Sequence, residues 1–244
     1  MSPDAKHLSV VIPTFNEAAR IQKTLAEVSR YLERNGFDYE IIVADDGSRD
    51  GTLVEALKFT DATDRVRVID SREHRGKGFA VRQGVLAASK PYVLYADADL
   101  AIPIQEVEKL LAEMARGCQI AIGSKHLPAS KVVGRSLARS MMGRTLNLLV
   151  RLLLLTGIRD TQCGFKCLRR EVARDLFGMV RTDGFGFDIE MLCLARRKGY
   201  RVSEVPVTCI HRGNSSIKPV RDSLGILRDV WRIRFGRPGR WQTP

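Results

Sequence analysis

Short apolar runs that alternate with amphipathic segments constrain this chain more than any other feature of its sequence. The runs are four to six residues long, which is typical of buried strands: LSVVIP (8–13), YEIIVA (39–44), VRVI (66–69), YVLYA (92–96) and QIAIG (119–123). Apolar residues at helical spacing occupy the intervening segments, which are residues 18–35, a stretch from 53, 78–88 and 105–115. Alternating β and α units predict a doubly wound, Rossmann-like α/β fold whose mainly parallel sheet is covered on both faces.

Polar motifs follow three of these strands, at the edge where a doubly wound sheet binds its ligands. The residues at those ends are Asn16 and Glu17 after the first strand, Asp45 and Asp46 after the second, and Asp97 and Asp99 after the fourth. The sequence has neither a GxGxxG motif nor a GxxxxGKS/T motif. It therefore predicts a nucleotide site that differs from the usual dinucleotide and P-loop sites.

The segment Asp97-Ala98-Asp99 is the candidate metal site. Two carboxylates at positions i and i+2 of a strand end point to the same side and can share one hard divalent cation. Mg²⁺ takes one or two protein carboxylates and completes its shell with water and substrate phosphates, which suits a nucleotide diphosphate. An isolated pair of this kind is more often a turn or a helix cap, so the assignment depends on the neighbouring motifs.

Seven motifs in a fixed order carry a family resemblance over roughly residues 8–212. They are VVIPTFNE (10–17), EIIVADDGSRDGT (40–52), GKGFAVRQG (76–84), YADADLAIP (95–103), GSK (123–125), QCGFK (162–166) and FGFDIEMLCLARRKGYRVSEVPV (185–207). Together they resemble the family 2 glycosyltransferases of the GT-A fold. Within that family the sequence is most similar to the dolichyl-phosphate or polyprenyl-phosphate glucosyltransferases, and next to the dolichyl-phosphate mannose synthases. Ala101 stands where mannose synthases of this type have Gln, which favours the glucosyltransferase branch.

The resemblance implies an inverting, metal-dependent enzyme that moves a hexose from a nucleotide diphosphate sugar to polyprenyl or dolichyl phosphate. UDP-glucose is the favoured donor; GDP-mannose, UDP-N-acetylhexosamine and a non-catalytic relative of the fold are the alternatives. The acceptor is a phosphate monoester, largely ionised near neutral pH because its second pKa is about 6. Such a nucleophile needs no strong general base, so the protein is expected to align it with the anomeric carbon and to stabilise the leaving diphosphate.

The same resemblance implies roles for single residues of the donor site. The nucleoside would be bound by Pro13, Phe15, Glu17, Ala44 and Asp46. The donor diphosphate and its Mg²⁺ or Mn²⁺ would be bound by Asp97, Ala98 and Asp99, with the two carboxylates as metal ligands. The alternative for the nucleoside set is a strand end with helix caps.

Five further residues would bind phosphate or lie near the acceptor. Lys77, within GKG, brings a cation close to phosphate, and Lys125 stands where the family often has Arg in GSR, which keeps the charge but loses the bidentate fork. Arg139 and Arg212 resemble arginines that bind the acceptor phosphate or the diphosphate. Asp188, in FGFDIE, sits where the family places an acidic residue near the acceptor, and we do not expect it to be an indispensable proton acceptor. A loop lysine, solvated arginines and a helix cap are the respective alternatives.

The net charge of +12 is concentrated in two apolar segments, which predicts attachment to a membrane surface. Residues 114–159 hold eight Lys and Arg and no acidic residue, and residues 212–244 hold eight against two Asp. Within them, residues 132–158 and the tail at 213–244, with Trp231, Phe235 and Trp241, have the composition of interfacial helices. The run at 146–158 contains Arg151 and is too short to span a bilayer. We therefore expect a catalytic domain at residues 1–212, followed by a basic tail, and peripheral attachment of the protein to a membrane. The alternative is that both segments pack on the domain, on a partner subunit or on a membrane protein.

The remaining composition limits the compartment and the partners. The basic segments are interleaved with Leu runs, and no nucleic-acid motif occurs, so a nucleic-acid partner is not expected despite the pI of about 9.8. Five cysteines without paired CxxC spacing predict neither a disulfide framework nor a zinc site. The start MSPDAKHLSVVIP has no signal-peptide pattern. The cytoplasmic face of a membrane is the expected location.

Overall fold

A computed structural model of the chain describes residues 6–61, 63–134, 145, 147–210 and 219–235, with the backbone alone at 219–223. The strands in these residues are β1 (His7–Thr14), β2 (Asp38–Asp45), β3 (Val66–Asp70), β4 (Tyr92–Ala96), β5 (Ile120–Ser124), β6 (Lys131–Val133), β7 (Phe165–Arg169), β8 (Val202–Pro206) and β9 (Thr208–Ile210). The helices are α1 (Ile21–Arg34), α2 (Thr52–Thr60), α3 (Lys77–Ala87), α4 (Val107–Ala115), α5 at residues 147–153, α6 (Arg170–Met179), α7 (Phe187–Arg197) and α8 (Pro219–Phe235).

Seven strands form one mainly parallel sheet in the order β3-β2-β1-β4-β7-β5-β8. Thr14 of β1 lies opposite Asp45 of β2, so the carboxyl ends of these strands lie side by side, with the end of β4 next to them. Strand β7 is antiparallel to both of its neighbours, and its Phe165 pairs with Ala96 at the end of β4. The start of β7 therefore lies at the same edge as the polar motifs. Strands β6 and β9 form a separate parallel pair.

Both faces of the sheet are buried, which explains why the strand sequences are continuously apolar. Val10 and Ile12 of β1 pack in the core formed with α1 and α4, whereas Val11 between them packs in the core formed with α3, α6 and α7. All five predicted strands are present, and the predicted α/β fold class is confirmed. Helix α1 begins later than predicted because residues 18–20 form a turn in which the Glu17 carbonyl accepts the N–H groups of Arg20 and Ile21.

Helix α8 packs on this domain and also presents an apolar surface to solvent. Its buried residues, Ile226, Val230 and Ile233, recur at helical spacing and join the core that contains α7. Its exposed apolar side chains are Leu224, Trp231 and Phe235. Among the described residues, no helix is long and apolar enough to cross a membrane. The division of the chain at residue 212 stays a prediction.

Candidate active site

The loops after β1 and β2 hold each other through side-chain hydrogen bonds. Asp45 accepts hydrogen bonds from the hydroxyls of Thr14 (2.9 Å) and Ser48 (2.6 Å) and from the Ser48 N–H (2.8 Å). The Glu17 N–H donates to the Thr52 hydroxyl at 2.7 Å. Asp45, the first aspartate of the DDGS motif, therefore holds these loops in place at the edge of the site.

The second aspartate, Asp46, organises the loop that leads to α3. It accepts hydrogen bonds from the N–H groups of Arg75 (2.9 Å) and Gly76 (2.8 Å), and His74 Nδ1 lies 2.7 Å from its carboxylate. His74 in turn stacks on Phe15, with ring centroids 3.9 Å apart and ring planes 22° apart. This pair joins a loop between β3 and α3 to the end of β1. No sequence motif pointed to His74.

Lys77, Asp97 and Gly164 meet at the centre of the site. Lys77 Nζ lies 2.5 Å from Asp97 Oδ1. Burial acts to lower the pKa of Lys77, but the charges of Asp97, Asp188 and Asp99 outweigh it, so the pKa is raised and the side chain stays a cation. A Cβ at Gly164 would lie 2.2 Å from Asp97 Oδ2, so only glycine leaves room for this carboxylate.

Glu17 adds a third carboxylate to this edge. Its pKa is raised, first by burial and then by the negative charges of Asp99, Asp50 and Asp97, while Arg20, whose Nε lies 2.7 Å away, opposes the rise. No three His, Cys, Asp or Glu side chains within the described ranges are grouped as metal ligands. Two carboxylates such as those of Asp97 and Asp99 suit a hard cation that takes one or two protein carboxylates and fills its shell with water and phosphate oxygens.

A buried charged cluster lies next to Lys77. The Asp188 side chain is only 4% exposed and Lys166 is fully buried, with its Nζ 2.5 Å from Asp188 Oδ1 and donating to the Cys163 carbonyl. The Tyr95 hydroxyl donates to the same Oδ1 at 2.6 Å, and burial followed by the Asp188 charge raises the pKa of Tyr95 well above its usual value. Asp188 is thus enclosed by protein, and its charge helps to keep Lys77 protonated.

Residues 181–186 connect the Lys77 loop to α7 and α8. A Cβ at Gly76 or Gly78 would lie within 2.5 Å of the backbone oxygens of Asp183 or Thr182, so the loop and the start of α3 are in close backbone contact. A Cβ at Gly186 would lie 2.6 Å from Asp229 Oδ2 of α8. Burial raises the pKa of Asp229, although the Gly186 N–H bond and Arg232 oppose this. Helix α8 therefore reaches the segment that positions Lys77.

Comparison with known proteins identifies the family. The profile described as "Glycosyl transferase family 2" matches residues 9–177. The chain belongs to this family. Dolichyl-phosphate beta-glucosyltransferases are similar to it over most of its length: the Mus musculus protein is 38% identical over 94% of this chain and 75% of that protein, and the Saccharomyces cerevisiae protein is 35% identical over 93% and 74%. The predicted resemblance and glycosyltransferase activity are confirmed.

Solved structures show the fold of this glycosyltransferase. Glucosyl-3-phosphoglycerate synthase from Mycobacterium tuberculosis, solved with Mn²⁺, UDP and glucosyl-3-phosphoglycerate, matches with a TM-score of 0.67 at 20% identity, over 94% of this chain and 80% of that one. Mannosyl-3-phosphoglycerate synthase from Rubrobacter xylanophilus matches with a TM-score of 0.72 at 21% identity, over 97% and 76%. The predicted GT-A fold is confirmed.

The structure brings most of the predicted site residues of this glycosyltransferase to one edge of the sheet. Pro13 and Ala44 pair at the ends of β1 and β2, and Ala98 is buried just after the end of β4. Lys125 Nζ lies 3.6 Å from Asp160, and although burial acts to raise the pKa of Asp160, the Lys125 charge and its N–H bond lower it. Arg139, Arg212 and Trp241 lie outside the described residues.

Sequence reasoning missed His74, Gly164 and Lys166 as parts of this site. The quoted motif QCGFK contained two of them, but only the pairing of β7 with β4 shows what they contact. The roles assigned to individual residues in substrate binding stay predictions.

Proposed function

We propose that this enzyme transfers glucose from UDP-glucose to dolichyl or polyprenyl phosphate and forms a β-linked lipid-phosphate sugar. The similarity to dolichyl-phosphate beta-glucosyltransferases over more than nine-tenths of the chain carries the proposal. The position of Asp97, Asp99 and Lys77 beyond the carboxyl ends of the strands supports a nucleotide diphosphate donor.

Mg²⁺ or Mn²⁺, when bound, would supply charge stabilisation to the leaving diphosphate. Asp97 and Asp99 would hold it. Two observations support this choice: Gly164 leaves space for the Asp97 carboxylate, and the pKa of Glu17 is raised by burial and then by the charges of nearby carboxylates that include Asp99 and Asp97. Solved relatives of the same fold were crystallised with Mn²⁺ or Mg²⁺ and UDP.

Lys77 would stabilise the negative charge that develops on the donor phosphates. Its raised pKa keeps it cationic, and its contact with Asp97 places it at the same strand end as the proposed metal ligands. The stacked Phe15 and His74 offer an aromatic wall at the edge of the proposed nucleoside pocket. We propose that the base of the donor lies near this wall.

No protein general base is required at the acceptor. The lipid phosphate is largely ionised near neutral pH. Asp188 is enclosed by protein, and its Oδ1 already accepts hydrogen bonds from Lys166 and Tyr95. This arrangement suits a residue whose charge acts on Lys77 and which does not take a proton from the acceptor. The rate should therefore fall below about pH 6, where the acceptor phosphate gains a proton.

We infer that the protein reaches its lipid acceptor by peripheral attachment to the cytoplasmic face of a membrane. The exposed apolar side chains of α5 and α8, among them Leu152 and Trp231, support attachment through this part of the surface.

Transfer assays with labelled sugars test the proposed reaction. The protein is incubated with polyprenyl phosphate, Mg²⁺ and UDP-glucose, GDP-mannose or UDP-N-acetylglucosamine, and label in the lipid phase is counted. We expect label from UDP-glucose, little from the other two, and none with EDTA or with free polyprenol. Equal transfer to polyprenol would show that a hydroxyl is activated by a protein base, and full activity in EDTA would remove the metal from the mechanism.

A further inference from the structure

A groove lies at the far end of α7 from the active site. It has a volume of about 420 Å³ and is bounded by Leu153 at the end of α5, Leu154 just after it, Ile233 of α8 and the last turn of α7. Helix α7 has 11 residues, which corresponds to about 16 Å of helix between Asp188 at its start and this groove at its end. The groove is therefore separate from the donor site.

Three arginines form the charged part of the groove: Arg196 and Arg197 of α7 and Arg234 of α8. Among the residues that the structure describes, none of those that line the groove is acidic. Arg196 Nη1 donates to the Thr156 hydroxyl at 3.2 Å and to the Leu154 carbonyl at 3.4 Å, which fixes its guanidinium at the groove wall. A guanidinium carries five N–H donors, so this arrangement leaves further donors for a phosphate.

Exposed apolar side chains lie on α5 and α8, the helices that contribute Leu153, Ile233 and Arg234 to the groove, and the Arg234 guanidinium lies 5.6 Å from the centre of the Phe235 ring. Leu152 is 69% exposed, Trp231 64% and Phe235 57%, and the rings of Trp231 and Phe235 lie 4.3 Å apart. A soluble anion would use the cations alone. A surface that combines cations with an exposed apolar rim matches a lipid, whose phosphate and acyl chains are adjacent.

We propose that this groove binds the headgroup phosphate of an anionic phospholipid and so docks the face formed by α5, the end of α7 and α8 on a membrane. This inference rests on the proposed function in one respect: docking would hold the enzyme beside an acceptor that is itself a membrane lipid. It assigns Arg196 and Arg197, outside the two basic segments of the sequence, to membrane binding.

Vesicle sedimentation tests the groove with a variant that removes its charge. Arg196→Gln, Arg197→Gln and Arg234→Gln are combined, and the control combines Lys23→Gln, Arg30→Gln and Arg34→Gln, three exposed cations of α1, which packs on the other face of the sheet. Each basic residue near an anionic surface contributes about fivefold to binding, so the groove variant should lose roughly a hundredfold on vesicles that contain phosphatidylglycerol. The control should lose less than about fivefold.

Two further measurements keep the result interpretable. The double variant Arg197→Gln, Arg234→Gln retains the Arg196 bonds and should lose roughly twentyfold, which guards against a folding defect in the triple variant. Transfer to a short, soluble polyprenyl phosphate should be unchanged in all groove variants. Vesicle binding does not depend on turnover, so it reports on the groove even if the proposed reaction is wrong. Equal losses in the groove and control variants, or unchanged binding of the double variant, would overturn the proposal.

Discussion

At the scale of single residues, two close contacts shape the site: Asp97 against Gly164, and Lys166 against Asp188. The Asp97 carboxylate occupies the space that a Cβ at Gly164 would take. Lys166 is fully buried and pairs with Asp188. The contacts come from the residue just before β7 and from β7 itself, which runs antiparallel to β4 and begins beside the end of that strand.

Gly164→Ala should remove activity while leaving the fold intact. The added methyl meets the flexible end of Asp97, so the carboxylate rotates away at little cost in stability, and the proposed metal ligand is lost. A displacement of about 1 Å at such a site costs on the order of a hundredfold in rate. Gly178→Ala on α6, where a Cβ meets nothing within 4 Å, is the control and should transfer normally. Similar rates in the two variants, measured with saturating Mn²⁺, would contradict this role of Gly164.

Lys166→Met should destabilise the protein strongly because it leaves the Asp188 charge buried without its cation. Breaking a buried ion pair by removing one partner costs about 3–5 kcal/mol. Combining Lys166→Met with Asp188→Asn should recover much of this loss, since neither charge then remains buried. Denaturant unfolding of the two single variants and the double variant measures the coupling. Additive losses would show that the two side chains do not interact as described.

At the scale of elements, α8 presents two faces with different tasks. Its inner face packs Ile226, Val230 and Ile233 in the core, and Asp229 contacts the segment that borders Lys77. Its outer face exposes Trp231 and Phe235. The helix is therefore both a part of the fold and the expected point of contact with lipid.

Single substitutions on the two faces of α8 should separate these tasks. Ile233→Ala should lower the free energy of unfolding by about 2–4 kcal/mol because it opens a cavity in the core. Trp231→Ala should leave stability nearly unchanged and weaken vesicle binding several-fold, because its side chain is mostly exposed. Thermal melts and sedimentation of both variants give the comparison. If Trp231→Ala proves the more destabilising change, the outer face packs on protein.

At the scale of the whole molecule, charge and apolar surface act together at the membrane. The excess positive charge lies in two segments of the sequence, residues 114–159 and 212–244, which also contain the exposed apolar side chains of α5 and α8. Surface charges are screened over about a Debye length, whereas apolar burial is not. Peripheral binding should therefore depend on salt only in part.

Acceptor length should reveal this docking. With long-chain polyprenyl phosphate in anionic vesicles, raising the salt concentration should release part of the protein and slow transfer, whereas transfer to a short soluble acceptor should change little. The two assays are run in parallel with vesicle sedimentation at each salt concentration. Equal slowing of both acceptors would place the salt effect in the active site.

The sequence by itself determined the class of the fold and the location of the site. Apolar runs of strand length and helical periodicities are local properties, so the order of elements and the edge that holds Glu17, Asp46 and Asp97 could be predicted from it. The family motifs added the reaction. These signals come from residues that are neighbours in the chain or face one another through regular secondary structure.

Only the tertiary structure decided which distant residues meet. The antiparallel direction of β7 brings Gly164 against Asp97 and Lys166 against Asp188, and no periodicity in the sequence specifies that direction. The stacking of Phe15 on His74 and the grouping of the groove arginines on two helices likewise join segments far apart in sequence. Such contacts depend on how whole layers pack to bury apolar surface, which is a property of the complete chain and not of any local pattern.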